Sequence, residues 1–260
     1  MCKETFDSII DQTTDWFERD AGYNDLKEAK AVIGISGGKD SSVVAALCAK
    51  ILGPDNVFGV LMPNGQQPDI DDSRDLVSFL GIKSSEVDIG DAYASLMYRL
   101  NRTTFSGETD MTYAVDGTVK TNLPARLRMC VEYAVANHIN GRVIGTGNRA
   151  EDMVGWFTLW GDSACDYQPL KHLWVDEVIE FGRYLGVPER FLVKPPSDGM
   201  CGRTDEEALG FTYKELKDAC TFGFSGDPSQ YTELNKKIYD KLYKATPKRK
   251  LILTIPGPVV

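Results

Sequence analysis

The chain has 260 residues, 42% of them hydrophobic, enough to build one large core and to exclude global disorder. A formal net charge of −9 argues against a nucleic-acid partner, because a phosphate backbone is bound by neutralising lysines and arginines. It leaves room for an anionic small molecule held at a local positive site. No run of about 18 apolar residues is present to span a membrane, and residues 1–5 lack the apolar region of a signal peptide. Six scattered cysteines without a C-x-x-C fit a reducing cytosol better than a disulfide framework or a metal cluster. The two histidines, His138 and His172, read as structural or surface residues and give imidazole catalysis little material.

In chain order, Phe6, Ile9, Ile10, Thr13, Trp16 and Phe17 recur at helical spacing and predict an amphipathic helix within residues 1–22. Polar residues 23–30 lead to a β-branched run, Ala31-Val32-Ile33. Then come Gly34-Ile35-Ser36-Gly37-Gly38-Lys39-Asp40-Ser41-Ser42 and the apolar residues Val43, Val44, Ala45, Ala46 and Leu47, which read as strand, loop and helix. Gly37 and Gly38 permit a sharp turn with no Cβ in the way of a ligand. Backbone N–H groups then point outward at a helix N-terminus, where the dipole favours an anion. Ser36, Ser41 and Ser42 add hydroxyls and Lys39 a positive charge, so the stretch reads as a phosphate cradle; the plain alternative is a turn whose serines cap the helix. It is not a Walker loop, since Lys39 is followed by Asp40. A carboxylate beside a phosphate repels it unless a cation lies between, so Asp40 implies Mg²⁺.

Beyond this loop, Gly53-Pro54-Asp55 is a break and residues 57–62 read as a second strand. Residues 69–80 predict an amphipathic helix ending at Gly81, residues 85–89 a shorter strand and residues 91–102 a helix. Residues 103–120 have no clear period; residues 124–139 predict a long helix and 142–146 another strand. This alternation predicts an α/β fold, a doubly wound parallel sheet with helices on both faces. Ligands in such sheets bind beyond the carboxyl ends of the strands, which singles out the loops at 36–42, 62–68 and 147–151. Residues 175–185 predict a helix, 195–203 a mobile Pro/Gly-rich loop containing Cys201, and 205–221 and 229–243 two further helices. The basic cluster Pro247-Lys248-Arg249-Lys250 is more often than not a solvated face. The whole chain, 1–260, reads as one domain with C-terminal helices and a tail from 205 onward.

A second constellation follows the long loop. Asn122, Ala125, Arg126, Arg128 and Met129 form N-x-x-A-R-x-R-M, and two arginines two apart do not share a helix face. Gly145-Thr146-Gly147-Asn148-Arg149-Ala150-Glu151 places an acid just past a strand, and Gly155 to Asp162 run on toward Asp166. The loop pattern S-G-G-x-D-S resembles the pyrophosphate loop of the ATP-pyrophosphatase superfamily. With the segments at 61–72 and 205–213, the motifs in this order resemble the ammonia-dependent NAD synthetases of that superfamily (adenine nucleotide alpha hydrolase-like fold) over nearly the whole chain. The resemblance implies a ligase that adenylates the nicotinate carboxylate of deamido-NAD with ATP and lets ammonia displace AMP.

Carried over motif by motif, it implies that residues 34–42, Gly34, Ile35, Ser36, Gly37, Gly38, Lys39, Asp40, Ser41 and Ser42, bind ATP together with Thr146 and Ser197. Asp40 and Glu151 hold Mg²⁺ and, with Ser36, form the catalytic set. Arg126, Asp166 and Lys248 contact deamido-NAD. A segment at 195–205 excludes water by closing over the adenylate. The family is typically homodimeric, and the apolar faces at Trp16 and Phe17 and along the helix from Pro124 could supply the interface or equally the core. No glutaminase domain is read, so ammonia, free or from a partner, is the nitrogen source, and no membrane contact is expected.

Two positions depart from the family pattern. Leu159 and Trp160 stand in F-T-L-W-G-D where the family has F-T-K-Y-G-D, and Val175 replaces a second lysine. Lys39 or Lys171 could compensate. The competing readings are an adenylating enzyme for another carboxylate, a tRNA-thiolating enzyme, and a nucleotide-binding homologue without turnover.

Overall fold

A computed structural model describes residues 3–67, 70–102, 117–193, 204–224, 229 and 231–259. At its centre is a parallel sheet of β1 (Ala31–Gly34), β2 (Val57–Leu61), β3 (Lys83–Glu86) and β4 (Arg142–Val143), in the order β3-β2-β1-β4. The chain therefore moves outward from β1 to β2 and β3, then returns to lay β4 on the other side of β1. The two loops that leave β1 and β4 at their carboxyl ends flank the point where strand order reverses, the crevice in which open α/β sheets bind ligands.

Both faces of the sheet are covered, which explains the unbroken apolar strands. Ala31, Ile33, Ile35, Val57 and Leu61 face one side, where they join residues of α1 (Lys3–Arg19), α2 (Lys39–Leu52), α3 (Ile70–Leu80), α7 (Val175–Tyr184) and α8 (Glu189–Leu192) in the main core. Val32, Val60 and Val143 face the other and meet Ala136, Leu127, Val131 and Ile139 of α5 (Gly117–Ile139). The alternation follows from the period of two along a strand. A second cluster lies apart from the sheet, built by α6 (Arg149–Val154), α9 (Asp205–Leu209), α10 (Tyr213–Asp218) and α11 (Glu233–Lys250) around Trp174, Leu216 and Ile238.

Several elements differ from their predicted bounds. The third strand begins at Lys83 rather than 85; it is an edge strand of exposed polar residues, held by backbone pairing from Phe58↔Lys83 to Leu61↔Glu86. Val87 and Ile89 keep backbone bonds to Leu61 and Pro63 beyond its end. Helix α4 spans Gly90–Leu100. Helix α5 starts at Gly117, not at Pro124: proline suits a first helical position, but here it sits buried inside the helix. The predicted helix at 205–221 is broken. Gly210 turns left-handed at φ 72°, and Thr212 restarts the chain as a cap accepting from Glu215 N at 3.1 Å. A π-helical turn, Ala219–Gly223, follows. The last helix runs past Tyr243 to Lys250, because Lys248 and Arg249 find partners on α6 and the turn behind it. The segment 195–205, Ser197 included, lies outside the described residues apart from Thr204 and Asp205.

The terminal stretch straps back over α1. Gln12 exchanges two bonds with Val259 (2.8 and 2.9 Å), and Lys171 Nζ donates to Leu253 O and Ile255 O at 3.2 and 2.6 Å. Among the described residues no helix is long and apolar enough to cross a membrane. Helix α1 belongs to the core: Phe17 is fully buried and Trp16 stacks on Tyr167 at 4.6 Å. Phe17→Ala is expected to cost about 3–5 kcal/mol in urea unfolding; a loss below about 1 kcal/mol would show that α1 does not anchor the core.

Candidate active site

The loop after β1 is made rigid by its own hydroxyls. Ser36 Oγ and Ser41 Oγ lie 3.1 Å apart, Gly38 N donates to Ser36 Oγ at 3.3 Å, and Ser41 and Ser42 both donate to Gly38 O (3.1 and 2.8 Å). Ser42 is buried, and its hydroxyl holds the turn. Ile35 likewise contributes only backbone: its N–H continues the ladder to Val60 O, and its side chain is core. Gly37 is at φ 72°, and a Cβ there would lie 2.9 Å from Ser73 N, so the loop rests directly against the start of α3. Ser36 remains exposed, and the open side of this turn faces the carboxyl end of the sheet.

Lys39 is not a free cation. It is buried, and its Nζ donates to Asp40 Oδ2 at 2.8 Å. Burial alone would lower its pKa, yet Asp40 and Glu151 outweigh that and hold it above the usual lysine range. Asp40 and Glu151 are brought together by Asn148. Its side-chain amide donates to Asp40 Oδ1 at 3.1 Å, and its backbone N–H donates to Glu151 Oε2 at 3.2 Å. Asn148 and Glu151 form the capping box of α6, with Asn148 Oδ1 accepting from Ala150 N and Glu151 N. An N-x-x-E pattern signals a helix start, but no local rule ties it to another loop.

Burial and then the negative charge of Asp40 raise the proton affinity of Glu151, partly offset by Lys39. A third acid, Asp205 at the start of α9, is buried, accepts from Tyr213 OH at 3.1 Å, and adds to the field at Lys39 and Glu151. Three acids around one lysine leave an excess of negative charge, which fits a cation. Among the described residues no three acids, histidines or cysteines converge as a complete metal cage. The donor set fits Mg²⁺, which takes one or two carboxylates and completes its shell with phosphate and water oxygens.

Arg126 on α5 and Lys248 on α11 converge on one turn, residues 155–159. Arg126 Nε and Nη2 donate to Leu159 O at 3.3 and 3.2 Å. Lys248 donates to Gly155 O at 2.9 Å and to Phe157 O, its Nζ lying 4.2 Å from the Phe157 ring centroid. The basic end of the chain is thus no free solvated face. Asp166 sits elsewhere, beside β4, accepting from Val143 N at 2.8 Å and from Tyr133 OH at 3.1 Å. Tyr133 is seven residues beyond Arg126, so about 10 Å of helix separates the two levels. Thr146 lies half-buried in the loop after β4, which places it on the same rim as Asp40 and Glu151. Between these groups lies Glu132, whose carboxylate occupies the space a Cβ on Gly34 would need.

The sequence profile of the NAD synthase family matches residues 9–248. An NH₃-dependent NAD⁺ synthetase of Thermoplasma volcanium is 37% identical over 229 residues, covering 87% of this chain and 90% of that protein. One of Picrophilus torridus is 33% identical over 251 residues, 95% and 94% of the two chains. The chain belongs to the NAD synthase family. Among solved structures, an NMN synthetase from Francisella tularensis superposes with a TM-score of 0.77 at 34% identity, covering 96% of this chain and 98% of its own. An NH₃-dependent NAD synthetase from Campylobacter jejuni superposes at 0.68 and 26% identity, covering 94% and 96%. Membership makes this chain an ATP-using ligase of NAD synthesis.

At the two positions where the resemblance to the family implies lysines, the chain has Leu159 and Val175, and both suggested substitutes already carry partners. Lys39 is committed to Asp40 and Lys171 to the terminal strap. Leu159 offers its carbonyl to Arg126, and Val175, the first residue of α7, packs against the second core cluster. Beside it, the Arg149 guanidinium lies 4.6 Å over the Trp174 ring. Asn148, Asp205, Tyr133 and Glu132 were not singled out by sequence, since each gains its place only through contact with another element.

Burial, reinforced by Asp162 and opposed by Arg128, pushes the Glu132 carboxyl up to about 7. Its folded pKa exceeds the ordinary value, so the folded state binds the extra proton between about pH 4.5 and 7, and stability falls as pH rises through that window. Glu132→Gln is expected to flatten this slope and to be more stable than the parent at pH 8, read by urea unfolding from pH 4.5 to 8. Parallel slopes in the two proteins would remove Glu132 as the cause.

Proposed function

We propose that the chain joins ammonia to the nicotinate carboxylate of deamido-NAD at the expense of ATP, giving NAD, AMP and pyrophosphate. The observation that carries this reading is the meeting of Asp40 and Glu151, from loops that follow different strands, across Asn148 at the point where strand order reverses. The loop N–H groups of residues 36–38 and the Ser36 hydroxyl cradle the phosphates of ATP at the start of α2. Asp40 and Glu151 would hold Mg²⁺, and the ion would supply positive charge to offset that of pyrophosphate. Arg126 and Lys248 hold the acyl substrate at the turn of residues 155–159, with Asp166 at the level of Tyr133, about two helical turns farther along α5. A carboxylate oxygen of the substrate attacks the α-phosphorus as pyrophosphate leaves; ammonia then attacks the acyl carbon and AMP departs. Positioning and charge stabilisation account for most of this chemistry, in keeping with a chain of two histidines.

A second reading has a specific observation in its favour. The Francisella structure, 34% identical over nearly the whole chain, is of an NMN synthetase, and the two lost lysines reduce the positive charge available to a dinucleotide. On that reading the acyl substrate is nicotinate mononucleotide. Incubation with ATP, Mg²⁺ and ammonium, with either nucleotide, followed by chromatography for NAD or NMN and pyrophosphate, decides between them. Asp40→Asn and Glu151→Gln are each expected to lower kcat about 10²–10³-fold. Undiminished turnover in both variants would dismiss the metal-bridge reading.

The enzyme is also proposed to work as a homodimer. Helix α4 carries Tyr93, Leu96, Met97 and Tyr98 yet buries no residue, and of the long α5 only Pro124, Ala125 and Ala136 are buried. A second copy packing on these two helices would cover them. Leu96→Glu is expected to halve the mass in sedimentation equilibrium, and an unchanged mass would place the interface elsewhere.

A further inference from the structure

Trp160 occupies a conformation that little in its sequence favours. Its φ is 58°, in the left-handed region that a bulky L-residue adopts only under constraint, and it is 53% exposed. The constraint is visible. Trp160 N donates to Ser163 Oγ at 3.2 Å, and Ser163 Oγ donates to Thr158 O at 2.9 Å. Thr158 N donates to Asp162 Oδ1 and Thr158 Oγ1 to Asn122 Oδ1, both at 2.8 Å, which ties the turn to α5. Gly161 leaves no room for a side chain, since a Cβ there would lie 2.8 Å from Thr158 Cγ2. The turn is fixed on every side, and it presents an indole outward instead of burying it. Trp16 and Trp174, by contrast, are buried.

The surroundings of that ring say what it could meet. The residue before it holds Arg126, whose guanidinium uses two of its five donors on Leu159 O and keeps three for a ligand. Lys248 grips the same turn at Phe157. Asp162, two residues on, accepts from Thr158 N and so adds to the bonds that shape the turn. A flat electron-rich surface on a turn that holds two cations suits a planar electron-poor ring that also carries anionic groups. The pyridine ring of a nicotinate nucleotide is such a ring: alkylation by the ribose makes it cationic, and it bears a carboxylate and at least one phosphate. A pyridinium is drawn to an indole face as other cations are.

We infer that Trp160 is the stacking platform for the pyridinium ring of the acyl substrate and that its left-handed backbone is retained for this purpose. The inference rests on the reading of the protein as a ligase of nicotinate nucleotides and adds a specificity-determining residue to it. Stability and function then pull in opposite directions at this position. Glycine adopts φ 58° freely, so Trp160→Gly relieves the backbone while deleting the ring. Phenylalanine keeps an aromatic face but has no indole emission.

The test has two arms. In steady-state kinetics, Trp160→Gly is expected to keep or raise Tm, to raise KM for the nicotinate nucleotide about tenfold, and to leave KM for ATP within about twofold; Trp160→Phe should stay within about threefold of the parent. A Tm lowered by glycine with KM unchanged would overturn the inference, making Trp160 a structural residue. In the second arm, deamido-NAD or nicotinate mononucleotide is titrated without ATP while tryptophan emission is read. Quenching in the parent that disappears in Trp160→Phe supports stacking, whereas equal quenching in both, or none in the parent, overturns it. Failure of the functional reading is separate: it would appear as no amide product from the parent with either nucleotide, whatever the emission shows.

Discussion

Two carboxylates that would repel each other are forced together at the centre of this molecule, and most of what surrounds them follows from that. Asp40 opens α2 and Glu151 opens α6, each just past a strand and each at a helix N-terminus where the dipole favours negative charge. Asn148 bonds both, Lys39 neutralises one, and Asp205 adds a third charge from the C-terminal cluster. The arrangement is costly in isolation, as the raised proton affinity of Glu151 indicates. A divalent ion between them would offset that cost, because the two acids offer it hard oxygens.

The C-terminal helices serve this centre as much as the sheet does. Helix α11 anchors α6 through Arg249 and Asp152 at 3.5 Å, and it carries Lys248 to the turn at 155–159. Helices α9 and α10 deliver Asp205 and Tyr213 to the rim. The second apolar cluster, around Leu216 and Ile238, is what keeps these short helices in place, since helices of five or six residues have little stability of their own. The two halves of the site thus belong to two cores, one under the sheet and one beside it. Ligand binding between them would couple the two.

Where the family resemblance implies lysines, the chain has a leucine whose carbonyl holds Arg126 and a valine that packs beside Trp174. The cations that remain, Arg126 and Lys248, are borrowed from helices far apart in sequence and brought to one turn.

The sequence by itself determined the loop chemistry and the fold class. The run from Gly34 to Ser42 fixes a strand, a tight turn and a helix start through local rules alone, and the alternation of apolar strands and amphipathic helices fixes a parallel sheet. The family motifs also marked Asp40, Glu151, Arg126 and Lys248. What tertiary structure alone decided was which of these meet and which are already engaged. Ser42 and Lys39 look like ligand groups in the sequence and already bond Gly38 and Asp40, while Asp166 is turned toward Val143 and Tyr133. Asp205 and Trp160 carry no local sign of their roles. Their positions are set by contacts over long sequence separations and by a backbone dihedral imposed from outside, and neither is written in the spacing of neighbouring residues.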